Sequence, residues 1–154
     1  MNIFDELGEI YNDIDSEYAI KEITARSKGH IIKETGYNSK RKFNDQAYFL
    51  FMFTRLEDRV RSLSDQLINE RMATLSDWKL KRSWDIINAQ KDKDSLHFMS
   101  RVSLLLQKGC VNYNLVNQYY RQRNNIGHGG TFTITISIPN VITDMQSLYK
   151  ELSK

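Results

Sequence analysis

Cysteine and proline each occur once in the 154 residues, and glycine seven times. Cys110 alone can neither close an intrachain disulfide nor supply a multi-thiolate zinc site. So little turn punctuation disfavours a sandwich or barrel of many short strands. The apolar run of about 18 residues that marks a membrane-crossing helix is missing, and the opening MNIFDELGEI is acidic where a secretory signal would be basic. Neither G-x-x-x-x-G-K-[ST] nor G-x-G-x-x-G occurs, which removes a P-loop and a Rossmann turn. The D-x-D pairs, Asp13/Asp15 and Asp92/Asp94, lie in charged stretches without a glycine turn and make weak metal sites. A single soluble, cytoplasmic domain spanning 1–154, without metal or cofactor and away from membranes, is the expectation.

What is present is charge, unevenly spread. The net charge is +3, yet residues 1–22 carry seven acids against Lys21, or −6. The remainder holds 21 basic and 12 acidic residues, or +9, a balance suited to a polyanion. Residues 28–43, KGHIIKETGYNSKRKF, lack a sustained apolar period and read as a basic loop. Its Lys40, Arg41 and Lys42 are candidate RNA-binding residues, and Tyr37 is of the type that stacks on bases.

Helical spacing dominates the first three quarters. Ile3, Leu7, Ile10 and Ile14, with Phe4, Tyr11 and Tyr18 on the adjoining stripe, outline a helix over about 3–27. A second is expected from an Asn44 N-cap to about Met72, and a third from a Ser76 cap with Leu80, Trp84 and Ile87 on one face. A fourth follows Asp94 and stops at Gly109; a fifth covers about 112–127. Residues 131–138, TFTITISI, alternate with the period of a strand, and a short last helix carries Val141, Met145, Leu148 and Leu152. A strand in such company needs a partner: the 30–37 stretch, a second copy, or another protein's edge; otherwise it is an arm packed on the helices.

The fifth helix ends Tyr119-Tyr120-Arg121-Gln122-Arg123-Asn124-Asn125-Ile126-Gly127-His128-Gly129-Gly130. Arg123 continues an apolar stripe, four residues after Tyr119, so its guanidinium needs a partner or a purpose. In an unbroken helix Arg123 and His128 diverge by about 140°. A helix stop at the glycines, or a second protomer, would let them converge.

Arg123-Asn124-Asn125-Ile126-Gly127-His128 resembles the R-x(4–6)-H signature of the HEPN superfamily, whose first x is commonly polar. The resemblance implies an all-α, antiparallel bundle of about five to six helices, with the 131–138 extended or strand segment outside its core pattern. It implies a metal-independent endoribonuclease of the toxin–antitoxin or antiviral-defence kind, working as a homodimer whose two motifs line one cleft. Carried over by position, Arg123 and His128 are catalytic and Asn124 supports them. Some members have a tyrosine two residues after the histidine that an antitoxin modifies; here that residue is Gly130.

Such an enzyme lets a 2′-hydroxyl attack its own phosphate, which takes a base, an acid and a cation. His128 suits proton transfer, and Arg123 suits phosphate oxygens. Arg121 beside the motif joins Lys40, Arg41 and Lys42 as a candidate RNA contact. The alternatives are a non-catalytic HEPN-like RNA-binding or adaptor module within a toxin–antitoxin or defence complex, and a helical interaction protein whose 131–138 strand joins a partner's sheet.

Overall fold

The computed structural model describes residues 3–152, and all regular structure among them is helical. Its helices are α1 (Ile3–Ser27), α2 (Ile31–Thr74), α3 (Trp78–Asp92), α4 (Phe98–Leu105), α5 (Val111–Gly127) and α6 (Ile138–Leu152). They group into two compact units. One holds the chain as far as Phe53 together with Tyr120–Ser147; the other holds Thr54–Tyr119 and the chain from Leu148. No helix among the described residues is long and apolar enough to cross a membrane.

In the first unit, α1 buries Phe4, Gly8, Tyr11, Glu22 and Ala25, with Asp15 and Tyr18 half-buried between them. These advance by threes and fours, so one stripe faces inward. It is the stripe through Phe4 and Tyr11, whereas Ile3 and Ile10 are 39% and 51% exposed. Gly8 lies on the inward stripe, where a Cβ would fall 3.0 Å from Ile142 Cδ1 and the Ile142 side chain would have to give by a few tenths of an ångström.

The expected loop over 28–43 is instead helix, and Asn44 is not a cap. Only Lys28-Gly29-His30 break the chain, where the amide of Gly29 (φ 68°) donates to Arg26 O and that of His30 to Ala25 O, the two bonds of a Schellman ending. From there α2 runs unbroken, with the Asn44 side-chain Nδ2 buried and without a partner in mid-helix. A helical period does exist in this stretch, but polar residues carry it.

Glu34, Asn38, Arg41, Asp45 and Tyr48 form a stripe by steps of three and four, and each meets α1. Arg26 Nε donates to Glu34 (2.6 Å), and Asn38 Nδ2 donates to Glu22 (3.4 Å). Arg41 grips both carboxylate oxygens of Asp15 (2.8 and 3.0 Å) and reaches Glu22 (3.1 Å). The Tyr11 hydroxyl donates to Asp45 (2.7 Å), and its ring meets Tyr48 edge-on at 5.4 Å. Beyond this seam the first unit's core is apolar and aromatic, with Phe49, Met52 and Phe53 of α2 buried, and Phe49 and Phe53 stacked at 6.1 Å.

In the second unit, α2 continues its buried stripe through Leu56, Val60, Ser64 and Ile68. The buried Arg101 of α4 donates to Ser64 Oγ (2.9 Å) and to Asp65, which satisfies a guanidinium that would otherwise be costly there. Asp77 rather than Ser76 caps α3, accepting from the amides of Lys79 and Leu80. Nothing on α3 is buried, and Trp78, Leu80 and Ile86 are 66%, 57% and 57% exposed. α4 stops at Leu105; Gly109 belongs to the next turn, where Cys110 N–H donates to Gln107 O. α6 begins at Ile138, so Pro139 falls in its first turn, where its missing N–H loses nothing.

No strand forms among the described residues. The 131–137 segment is irregular, with a bend at Thr133–Ile134, yet its alternation has a structural use. Thr133 N–H donates to Gln122 Oε1 (2.8 Å), while Gln122 Nε2 donates to Thr133 Oγ1 (2.8 Å). Asn125 Nδ2 donates to Thr131 O. Between them Phe132 turns the other way and packs edge-on against Phe49, centroids 5.2 Å apart. Two side-chain amides of α5 thus stand in for the neighbouring strand, which is why the period-two pattern needs no sheet.

The seam has opposite acid–base signs at its two ends. Hydrogen bonding to Arg41 holds the Glu22 carboxyl below its ordinary value, whereas burial raises that of Asp45. Glu22 therefore contributes stability above its unfolded pKa of about 4.3, lost as pH falls through its folded value. Asp45 contributes below its unfolded value, and that share is lost as pH rises through the folded one. Glu22→Gln should lower the thermal midpoint at pH 7, the deficit shrinking below about pH 4. Asp45→Asn should hold or raise the midpoint at pH 7. Melts of both variants between about pH 3 and pH 7 check the two signs.

Candidate functional site

α5 starts just after Cys110, whose thiol accepts the Tyr113 amide at 3.4 Å, and buries Val116, Tyr119 and Gln122. Its first-unit part is anchored by Tyr120, stacked on Phe53 at 6.3 Å, and by the Gln122–Thr133 pair. These anchors fix the rotation of the helix. Arg121 is left exposed, and Arg123, Asn124 and Asn125 half-buried.

The helix ends in a second Schellman motif. Gly129, at φ 83°, donates its amide to Ile126 O, and Gly130 donates to Asn125 O. His128 is the cap residue itself: its amide still bonds Asn124 O at 3.1 Å, while its imidazole is exposed and has no hydrogen-bond or ion-pair partner among the described residues. Arg123 Nη1 reaches Asn124 Oδ1 (3.4 Å) and lies against Gly127, 3.9 Å from the point a Cβ would occupy there. Since α5 stays helical through Gly127, the turn comes only after His128, and the backbone keeps the wide Arg123–His128 angle of a regular helix. Arg123 and Asn124 are thus brought together, and His128 projects separately from the same helix end.

The two glycines after His128 serve different ends. Gly129 supplies the left-handed backbone. At Gly130 a Cβ would fall 2.8 Å from both amide heteroatoms of Asn125 and 2.9 Å from its Cγ. The Asn125 amide is held by Thr131 O and is not free to swing away. A side chain at 130, tyrosine included, would therefore break the tie between the helix end and the 131–137 segment.

The basic candidates scatter. Arg41 is consumed by Asp15 and Glu22, whose carboxylates hold its guanidinium firmly charged and away from solvent anions. Lys40 lies over the rings of both Tyr18 and Tyr37, 5.5 Å from each. Lys42 alone of the three joins the chain that follows the motif: it lines a cleft of about 490 Å³ with Phe43, Gln46, Thr131, Phe132 and Ile134. Phe43 is 69% exposed at this cleft, a feature hidden in the sequence because 28–43 reads as loop. Among the described residues no three of histidine, cysteine, aspartate and glutamate cluster as metal ligands would.

Gly129→Ala should cost about 1 kcal/mol for the left-handed φ. Gly130→Ala should cost a similar amount through Asn125 and loosen 131–137, read by urea unfolding and by amide exchange at Thr133. No protein-family model, curated protein or solved structure matches the chain.

Proposed function

We propose that the protein is a metal-independent endoribonuclease of the HEPN kind, cleaving RNA by attack of a 2′-hydroxyl on the adjacent phosphate. One observation carries this reading. Arg123, half-buried beside Asn124, and an exposed His128 with no hydrogen-bond or ion-pair partner among the described residues project from a single capped helix end. The six-helix chain with the motif in its fifth helix is compatible with the HEPN-like antiparallel bundle that the motif resembles.

In the proposed reaction the 2′-oxygen bonds to phosphorus as its proton passes to a base. The P–O5′ bond breaks as an acid protonates the leaving oxygen. The products are a 2′,3′-cyclic phosphate and a 5′-hydroxyl end. Imidazole serves as base or acid near neutral pH. The Arg123 fork neutralises the charge growing on the non-bridging oxygens, and Asn124 orients it. One chain supplies one such histidine, and an acid–base pair needs two. A homodimer that brings two helix ends to one cleft completes the set. Lys42 and Phe43 beside the 131–136 segment suit the flanking strand, with Arg121 as a further phosphate contact. A toxin or antiviral effector, restrained by an antitoxin or defence-complex protein, is the setting we propose. Gly130 leaves that restraint no tyrosine to modify at its position.

RNA incubated with the protein in EDTA should yield 2′,3′-cyclic phosphate ends. Arg123→Ala and His128→Ala should each lower the rate by at least about a hundredfold without changing the melting curve. Cleavage undiminished in both variants would sink the proposal. RNA binding without cleavage by the wild type would return the second reading, a non-catalytic RNA-binding or adaptor module.

A further inference from the structure

A cavity of about 240 Å³ opens at the turn between α1 and α2, lined by Lys21, Lys28, His30 and Lys33 with Ile20 and Tyr37. It shares no lining residue with the Arg123–His128 helix end or with the 131–136 cleft. None of the lining residues is a carboxylate. Two acids close in sequence to the lining residues are committed elsewhere: Glu34 to Arg26, and Glu22 to Arg26 and Arg41. Glu17 pairs with Lys21 alone. No hydrogen bond or ion pair engages the side chains of Lys28, His30 or Lys33 among the described residues.

Lys28 and Lys33, gathered round one concavity, repel each other, and no hydrogen bond or ion pair among the described residues offsets either. Chain geometry enforces the gathering. The Schellman turn at Gly29 folds the end of α1 back on the start of α2, so Lys28 and Lys33 flank His30 across one turn. Three flexible donors suit an anion with several oxygens and more than one charge, and lysine meets phosphate as a point charge. The remaining wall is of another kind. Tyr37, tilted against Tyr18 at 6.4 Å, and Ile20, 66% exposed, offer ring and aliphatic surface beside the cations. Phosphate donors next to an aromatic wall match a nucleotide better than a bare inorganic ion.

We infer that this cavity is a phosphate-binding site for a nucleotide, free or within an RNA strand, with Lys28, His30 and Lys33 holding the phosphate and Tyr37 facing the sugar or base. The inference goes beyond the proposed ribonuclease and needs no catalysis at His128.

The test uses the full chain carrying His128→Ala, so that RNA is not consumed, and follows amide resonances in about 50 mM salt during titration. The probes are adenosine monophosphate, a single-stranded RNA oligonucleotide, and adenosine as the phosphate-free control. Either phosphate-bearing probe should shift Gly29, His30, Lys33 and Tyr37 saturably, and adenosine should not. Saturation by the mononucleotide identifies a free nucleotide as ligand, and saturation by the oligonucleotide alone identifies a strand. Lys28→Gln with Lys33→Gln should weaken that binding roughly tenfold and reduce the salt slope for the oligonucleotide by about 1.4. Lys79→Gln with Lys81→Gln, an equal charge loss on α3, should change it less than about twofold. The site is overturned if neither phosphate probe moves these amides, if adenosine moves them equally, or if the α3 pair costs as much as the cavity pair. RNA cleavage by the wild type is scored separately and stands or falls without these results.

Discussion

Where most paired helices meet through aliphatic ridges, α1 and the start of α2 meet through a row of polar side chains: Arg26 with Glu34, Glu22 with Asn38 and Arg41, Asp15 with Arg41, and Tyr11 with Asp45. Much of the first unit depends on this seam. It makes residues 31–43 helical, and so places Phe43 and Lys42 along the 131–136 segment. It also consumes Arg26 and Arg41 and the acids opposite them, leaving Lys28, His30 and Lys33 at the turn without a hydrogen-bond or ion-pair partner among the described residues. Partly exposed ion pairs add little stability one at a time. Their force here lies in register, since a slip of one residue would separate every pair together.

The legible parts of the sequence are those written in apolar residues. Phe49, Met52, Leu56 and Val60 mark the middle of α2, and Val141, Met145, Leu148 and Leu152 mark α6, because burial selects for those side chains wherever they recur at helical spacing. The stretch 28–43 is illegible for the converse reason. Its stripe of Glu34, Asn38, Arg41 and Asp45 is as periodic, but polarity hides it until the acids of α1 are known to lie opposite. The same partner-blindness explains 131–138. The alternation reads as a strand, but over residues 131–133 it meets Phe49 on one side and the amides of Gln122 and Asn125 on the other. At the motif, sequence alone indicates a helix stop at the glycines but not that His128 is itself the cap. The acidic first helix against a basic remainder suggests a face for a polyanion. Part of that asymmetry is internal, with the α1 carboxylates of Asp15 and Glu22 answering Arg41 of α2.

One turn joins the helix end to the cleft. The Schellman bonds from Gly129 and Gly130 close α5, the Asn125 amide then holds Thr131, and Phe132 is drawn onto Phe49. The exposure of His128 and the wall of the cleft therefore share one support. Displacing Asn125 would disturb both, which ties the geometry of the motif to that of the chain beside it.

α3 stands apart energetically. An Asp77 cap, a hydrogen bond from Lys91 to Asn69 and the left-handed Asp94 at its end hold it, while none of its residues is buried. Little hydrophobic free energy opposes its opening, so it can unwind locally while the rest of the second unit stays folded. With Trp84 and Ile87 no more than half-buried, the polypeptide between Leu75 and Leu96 is consequently a stretch open to proteolytic nicking.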